Sequence, residues 1–398
     1  MKILVINAGS SSLKYQLFNM ENGDVLAKGL CECIGDTMGS VTHKRGDEKY
    51  VKEVELPDHE VALSIVLDLL VSEEHGVIDS IDEIGAVGHR VAHGGEKFKA
   101  STLIDDETIN YLEGIVPINP LHGPPAIKGM KACKRLMTDV PQVAVFDTSF
   151  YSQMEDFRTI YALPYELYTE NKIRRYGFHG TSHRYVSQKA AEMLGKPIEE
   201  LKIVTCHLGN GSSITAVDKG VAIDTSMGFT PQEGLPMGTR SGSIDPTVIP
   251  YIMKARGLNA DDIEDLLNRK SGLLGVSGIS NDSRKVEQAA SEGNYRAQLA
   301  QKILFNSIKK HIGSYIAEMN GIDVLVFTAG IGENSAETRS EVCKDMEFFG
   351  ISINEEVNAT ARGKETDISA DGTKVKTLVI PTNEEYMIAL DTAKFCKE

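Results

Sequence analysis

The sequence predicts an α/β protein built from two duplicated domains. Three observations carry that reading. The chain has 398 residues, more than one ordinary hydrophobic core organises. A strand, a Gly/Ser turn and a second strand open it, and the same pattern returns at an offset of 200 residues. Short apolar runs end repeatedly in a residue suited to chemistry: Asn7, Arg90, Asp147, His207, Gly330 and Glu384. In open α/β sheets, ligands gather at the carboxyl ends of strands.

The first element is the run Ile3-Leu4-Val5-Ile6, the mark of a buried strand. Asn7-Ala8-Gly9-Ser10-Ser11-Ser12 then offers backbone N–H groups and hydroxyls with little bulk, so a phosphate can approach closely. Lys14 follows, and Tyr15, Leu17 and Phe18 resume a strand. The copy spans 202–213. Lys2/Lys202, Ile3/Ile203, Gly9/Gly209 and Ser12/Ser212 coincide without a gap. Either turn alone reads as a plain hairpin; two in register point to duplication. Residues 24–52 alternate polar and apolar types and predict antiparallel strands. Residues 60–71 predict a buried helix and 84–91 a central strand. A helix is expected over 104–112. Pro117, Pro120, Pro124 and Pro125 stiffen a loop before a helix over 126–137. A strand over 142–146 closes the first domain.

In the second half, a dense polar-aromatic turn over 174–183 leads into a helix over 185–194. The duplicate hairpin follows. Residues 224–246 form a long Gly-rich stretch without periodicity, and such loops in compact domains are usually functional. Helices are expected over 260–268 and 295–319, strands over 323–327 and 376–380, and a last helix over 385–397.

Net charge is −15, which disfavours a broad nucleic-acid or anionic-membrane surface. An anionic substrate therefore needs a local Arg or Lys cluster. The cysteines at 31, 33, 133, 206, 343 and 396 include no CxxC pair; free thiols in a reducing compartment fit better than disulfides or a zinc site. No apolar run reaches membrane-spanning length. One Lys and a four-residue apolar run make no secretory leader. A cytoplasmic protein is expected.

Three glycine-rich turns can cradle phosphate or nucleoside: 9–12, 209–213 and 330–334. None matches GxxxxGK[ST] or GxGxxG, so a P-loop or Rossmann reading is poor. Two hairpin turns around a polyphosphate with a third under the nucleoside is the pattern of the actin, sugar-kinase and Hsp70 superfamily. Between residues 3 and 392 the chain resembles the acetokinase family of acetate and butyrate kinases. The resemblance rests on INAGSSSLKY, GHRVAHGGEKF, PLHGPPAI, VFDTSF, YGFHGTSH, HLGNGSS, DTSMGFTPQEGLPMGTRSG, FTAGIGEN and IPTNEE.

The resemblance implies two actin-like (RNase H-like) α/β domains, each a mixed five-stranded sheet flanked by helices, with the active site in the cleft between them. Residues 1–148 with 385–398 would form the acetate and phosphate side, and 149–384 the nucleotide side. It implies reversible transfer of the ATP γ-phosphoryl to acetate, giving acetyl phosphate and ADP. Asp147, His179 and Arg240 match the catalytic positions. A lone arginine is most often a solvated surface group, but guanidinium forks match carboxylate and phosphoryl oxygens. Arg90 corresponds to the acetate partner, Arg240 to the group on the transferring phosphoryl, and His179 to its hydrogen-bond donor. Without the family, His179 reads as an ion-paired or capping histidine and Asp147 as a turn cap.

Ala92, Leu121 and Pro231 match the pocket for the methyl group. Ala92 stands where the family more often has Val, which widens the pocket toward propionate. Ser243 stands where the family usually has Asp. Ser10, Ser12 and Lys14 match phosphate contacts. His207, Leu208, Gly209, Asn210 and Gly211 match the ATP-holding segments, as do Asp282, Ser283 and Arg284, and Gly330, Ile331, Gly332, Glu333 and Asn334. Asp282 and Arg284 also read as a solvated salt bridge. Asn7 and Glu384 match a magnesium pair, with manganese as a substitute; lying at opposite ends of the chain, they fit a metal held across the cleft. Glu384 alone reads as a carboxylate favoured at a helix N-terminus. A homodimer is expected, with no nucleic-acid or membrane partner. The rival readings are a propionate or butyrate kinase, a pyrophosphate-dependent kinase, and a non-enzymatic nucleotide switch of the actin or Hsp70 kind.

Overall fold

The computed structural model of the protein describes residues 1–396; Lys397, the last residue of the expected C-terminal helix, lies outside them. The chain divides into two compact units, Met1–Ser152 with Asn383–Glu398, and Gln153–Thr382.

The first unit holds β1 (Lys2–Ala8), β2 (Ser12–Asn19), β3 (Asp24–Glu32), β4 (Gly39–Arg45), β5 (Glu48–Val54), β6 (Ile84–Val91), β7 (Thr102–Leu103) and β8 (Gln142–Phe146). They form one sheet in the order β5-β4-β3-β2-β1-β6-β8-β7. β1 to β5 are an antiparallel meander, whereas β1, β6 and β8 run parallel. β1 is buried on both faces, as strands in parallel sheets are. Leu4 and Ile6 pack with Ala62 and Val66 of the helix His59–Leu70 and Cys133 of the helix Gly123–Leu136. Ile3 and Val5 pack with Ile388, Ala389 and Ala393 of the C-terminal helix Glu384–Phe395. That helix starts where Asn383 accepts from the Tyr386 amide and lies directly on β6. A Cβ at Gly88 would stand 2.4 Å from Thr392 Oγ1, so glycine is what permits the approach.

The second unit holds β9 (Lys202–Leu208), β10 (Ser212–Asp218), β11 (Val221–Thr225), β12 (Val324–Thr328), β13 (Thr366–Asp367) and β14 (Lys376–Val379). Their order is β11-β10-β9-β12-β14-β13. β9 to β11 are antiparallel, β9, β12 and β14 run parallel, and β13 is antiparallel to β14. The long helix Tyr295–Met319 sets Leu304, Ile308, Ile312 and Tyr315 against Val204, Cys206, Leu325 and Phe327.

The sheets have eight and six strands rather than five each. A short antiparallel strand, β7 or β13, borders the outer parallel strand of each copy, and β4 and β5 extend the first. The duplicate hairpins also differ by one residue. Ala8 pairs with Leu13, but Leu208 pairs with Ser212, so the second turn is one residue shorter. Asn7 faces Lys14 where His207 faces Ser213; the ungapped match does not survive the turn. The glycine-rich 330–334, expected as a turn, is most of a short helix, Ala329–Asn334, entered through Ala329 at φ 64°.

Candidate active site

In the first unit, parallel strands carry the charged residues to one edge. Arg90 is the penultimate residue of β6, Asp147 directly follows β8, and Asn7 is near the end of β1. The C-terminal helix adds Glu384 and Glu385 in its first turn. Arg90 Nη2 donates to Asp147 Oδ2 at 2.8 Å, and Arg90 Nε lies 3.3 Å from Glu384 Oε2. Nη1 makes no hydrogen bond with a described residue. Burial works against the charge of Arg90, but Asp147 and then Glu384 outweigh it and push its pKa up. Burial pushes the Glu384 carboxyl up; Arg90 pulls against this, and Asp147 and Glu385 add to the push. The cluster thus carries excess buried negative charge, which Lys14 Nζ, 3.6 Å from Glu385 Oε1, only partly offsets.

Asn7, Asp147 and Glu384 offer hard oxygen donors of the kind magnesium takes, one or two carboxylates alongside phosphates and waters. The excess negative charge fits a divalent cation. Asn7 and Glu384 belong to one unit, because the C-terminal helix returns to the first sheet; their separation in sequence is no sign of opposite sides. The Gly9–Ser12 turn closes with the Gly9 amide donating to the Ser12 carbonyl at 2.8 Å. His59, which sequence reasoning missed, is 2.7 Å from the Gly9 carbonyl through Nε2. Ser10 and Lys14 are exposed and Ser12 is half-buried. Ala92, just past β6, is half-buried, and Leu121 is exposed.

In the second unit, His179 precedes the helix Gly180–Leu194 at φ 56°, a conformation uncommon outside glycine. Its ring stacks on His207, with centroids 4.1 Å apart. Arg240 donates through Nη1 to the Pro231 carbonyl at 3.2 Å and makes no ion pair among the described residues. Burial lowers its pKa. His179 and Arg240 converge over Gly211. A Cβ built there would stand 3.4 Å from His179 Nε2 and 3.6 Å from Arg240 Nη1. The loop that carries Arg240 and Pro231 is pinned by Ser243, whose Oγ accepts from the Gly234 amide at 3.0 Å. A serine thus closes this loop without a carboxylate.

The second unit also holds a cavity of about 810 Å³, within the range of small-ligand sites. Gly209, Asn210, Asp282, Ser283, Arg284, Gly330, Ile331 and Asn334 line it. Asp282 caps the helix Ser283–Ser291 and pairs with Arg284 at 2.8 Å; the two line the cavity and bind each other. The other expected ATP residues lie elsewhere. Leu208 packs in the core. Gly332 gives its carbonyl to Arg339, and Glu333 accepts from the amides of Ala329 and Thr382. Sequence reasoning missed Asn281, Glu287 and Arg362 in the lining. It also missed Arg339, which is fully buried and donates to Gly332, Asn358 and Ala361 oxygens. Burial lowers its pKa to about 10.

Comparison with known proteins agrees over the full length. The acetate kinase of Caldanaerobacter subterraneus subsp. tengcongensis is 57% identical over 399 residues, covering 100% of this chain and 99% of its own. The crystal structure of Porphyromonas gingivalis acetate kinase superposes with a TM-score of 0.95 at 49% identity, covering 99% of both chains. That of a propionate kinase from Francisella tularensis subsp. tularensis gives 0.92 at 41%, again covering 99% of both. The duplicated α/β scaffold and these relatives define the class, a kinase. Its sequence matches the profile of the acetokinase family over residues 2–390, and the chain belongs to that family. No helix among the described residues is long and apolar enough to cross a membrane.

Proposed function

We propose that the protein transfers the γ-phosphoryl of ATP to acetate, reversibly, giving acetyl phosphate and ADP. The observation that carries this reading is the Arg90 cluster. A guanidinium braced by Asp147 and Glu384, with Nη1 unused by described residues, suits a small carboxylate. Full-length similarity to acetate kinases supports the same reading.

Acetate is already ionised at neutral pH, since free carboxyls titrate near ~4. Its oxygen needs no base. Asp147 therefore orients Arg90, the group it bonds. The acetate oxygen attacks the γ-phosphorus in line, and the bond to the ADP oxygen breaks. Arg240 and His179 stabilise the transferring phosphoryl, so positioning and charge neutralisation carry the rate. Ser10, Ser12 and Lys14 contact phosphate, and the cavity of the second unit holds the nucleoside. Asn7 and Glu384 would hold magnesium, or manganese in its place. When bound, the ion neutralises phosphate charge. Ala92, Leu121 and Pro231 are the positions that the family resemblance assigns to the acyl methyl. The protein works as a homodimer in the cytoplasm.

The test is acyl hydroxamate formation from ATP with acetate, propionate or butyrate, with pyrophosphate as control donor. Turnover with ATP and acetate is expected; ATP hydrolysis that ignores the carboxylate would overturn the reading. Propionate is favoured as a second substrate by Ala92, which has two methyl groups fewer than Val. A methylene discriminates by only about 1–3 kcal/mol. A propionate kcat/KM within about 200-fold of that for acetate is therefore expected, and a gap of about 10³-fold or more would refute it.

A further inference from the structure

His179 is the outermost member of a buried hydrogen-bond chain. Its Nδ1 lies 2.9 Å from Ser213 Oγ. Ser213 is fully buried, and its hydroxyl lies 2.7 Å from His183 Nε2. His183 is fully buried as well, and its Nδ1 lies 2.7 Å from Thr205 Oγ1. The other neighbour of the Thr205 hydroxyl, the Thr215 carbonyl, is 3.4 Å away. Local structure explains the assembly. His179 and His183 are one helical turn apart. Thr205 and Ser213 project from paired strands, opposite Thr215 and His207 respectively.

Counting hydrogens gives this chain a direction. Burial, and His207 after it, hold the His183 imidazole well below its ordinary pKa. It is neutral, with one N–H and one bare nitrogen. Ser213 has a single hydrogen and sits between two imidazole nitrogens, so it donates to one and accepts from the other. Thr205 directs its hydrogen along the short contact to His183 Nδ1, because the 3.4 Å alternative is weak. His183 then carries its hydrogen on Nε2 and donates to Ser213. Ser213 donates to His179 Nδ1. A neutral His179 is left with its hydrogen on Nε2, the atom beside Arg240 over Gly211.

We infer that Thr205, His183 and Ser213 are positioning residues that fix His179 as an Nε2–H donor to the transferring phosphoryl. The inference rests on the role given to His179 above and names what makes that role dependable. A neutral donor suits a site already holding the Arg240 cation, since a second positive charge there is unfavourable.

The test uses the full chain labelled with 15N-histidine. Ring nitrogen shifts report the tautomer, and kcat and KM are measured beside them. In the native chain, His179 is expected to carry hydrogen on Nε2 and a bare Nδ1. Thr205→Val touches His183 but makes no contact with His179. It is expected to mix the His179 tautomers and lower kcat about tenfold while leaving both KM values within about threefold. Ser213→Ala should lower kcat further, and Ser213→Thr, which keeps the hydroxyl, should recover most of it. Thr205→Ser should behave as the native chain, and it keeps the test intact if Ser213→Ala does not fold. Hydrogen on His179 Nδ1 in the native chain would overturn the inference. So would native nitrogen shifts and kcat in Thr205→Val. His179→Ala separates the two claims: unchanged kcat there would sink the role of His179 itself, whatever the state of the chain behind it.

Discussion

The two units share a strand order and differ in what stands at the strand ends. In the first, β1, β6 and β8 present Asn7, Arg90 and Asp147, and the C-terminal helix adds Glu384. In the second, β9, β12 and β14 present His207, then Ala329 and Gly330, then Ile380 and Pro381. One copy gathers a cation and several acids; the other gathers imidazoles, hydroxyls and bare backbone. Even the turns diverge, because a one-residue deletion puts Ser213 where the first copy has Lys14. The comparison teaches that parallel strand ends are fixed positions on a backbone, and that duplication leaves their chemistry free to diverge. The proposed function places the small anion and the metal on the first copy. It places the nucleotide and the phosphoryl in transfer on the second.

The division of labour can be broken from either side. Arg240→Ala should be the heaviest loss, with kcat down about 10³-fold or more, as for other arginines that neutralise a transferring phosphoryl. KM for acetate should change little, and steady-state kinetics with acetate varied checks both. Asp147→Ala should lower kcat about 10²-fold, because Arg90 loses the partner that orients it. Arg90→Ala should instead raise KM for acetate by about tenfold or more. It should also destabilise the first unit by about 3 kcal/mol, since Asp147 and Glu384 lose their cation. A purely catalytic effect at Arg90, with KM unchanged, would erase the contrast between the copies.

Arg339 tests the nucleotide side alone. It is fully buried, and carbonyl and amide oxygens hold it in place of a carboxylate. It ties Gly332, in the short helix under the cavity, to Asn358 and Ala361. Arg339→Met should raise KM for ATP several-fold and leave KM for acetate unchanged. Binding of an ATP analogue by calorimetry checks this without turnover.

Much of this scaffold was legible because its signals are local. Ile3 to Ile6 and their copy announce buried strands, and 84–91 and 142–146 read as strands to the residue. Arg90 and Asp147 stood out because each follows an apolar run. The contact of Arg90 with Glu384 was not legible as geometry, since it depends on the last helix returning to the first sheet. The register slip was hidden for a different reason. Gly209 and Ser212 keep their sequence positions while the turn between the strands shortens. His59 under Gly9 and Arg339 under Gly332 left no local mark at all, and Ser213, though in a marked turn, carried no sign of its bond to His179. A histidine, an arginine or a serine in an apolar run looks the same whether or not a distant partner completes it.

A last comparison of the units is by stability against pH. His89 in β6 is buried with Nε2 2.8 Å from Gln142 Oε1, and burial lowers its pKa to about 4 despite that bond. His93 is likewise lowered to about 4 by burial. In the unfolded chain both titrate near ~6.5. Between those limits the unfolded state binds more protons, so stability rises with pH and is lost as pH falls from about 6.5 toward 4. Above about 6.5 these two groups contribute no slope. Each histidine adds at most about 1.4 kcal/mol per pH unit within the window. His89→Gln, which keeps a side-chain amide near Gln142, should remove one histidine's share of the acid slope. Urea unfolding from pH 7 to 4.5 reads that slope. His183 in the second unit is lowered too, so a probe confined to each unit should show both losing stability as pH falls below about 6.5. A first unit indifferent to pH in that window would mean that His89 and His93 meet water or a counter-charge before the unit unfolds.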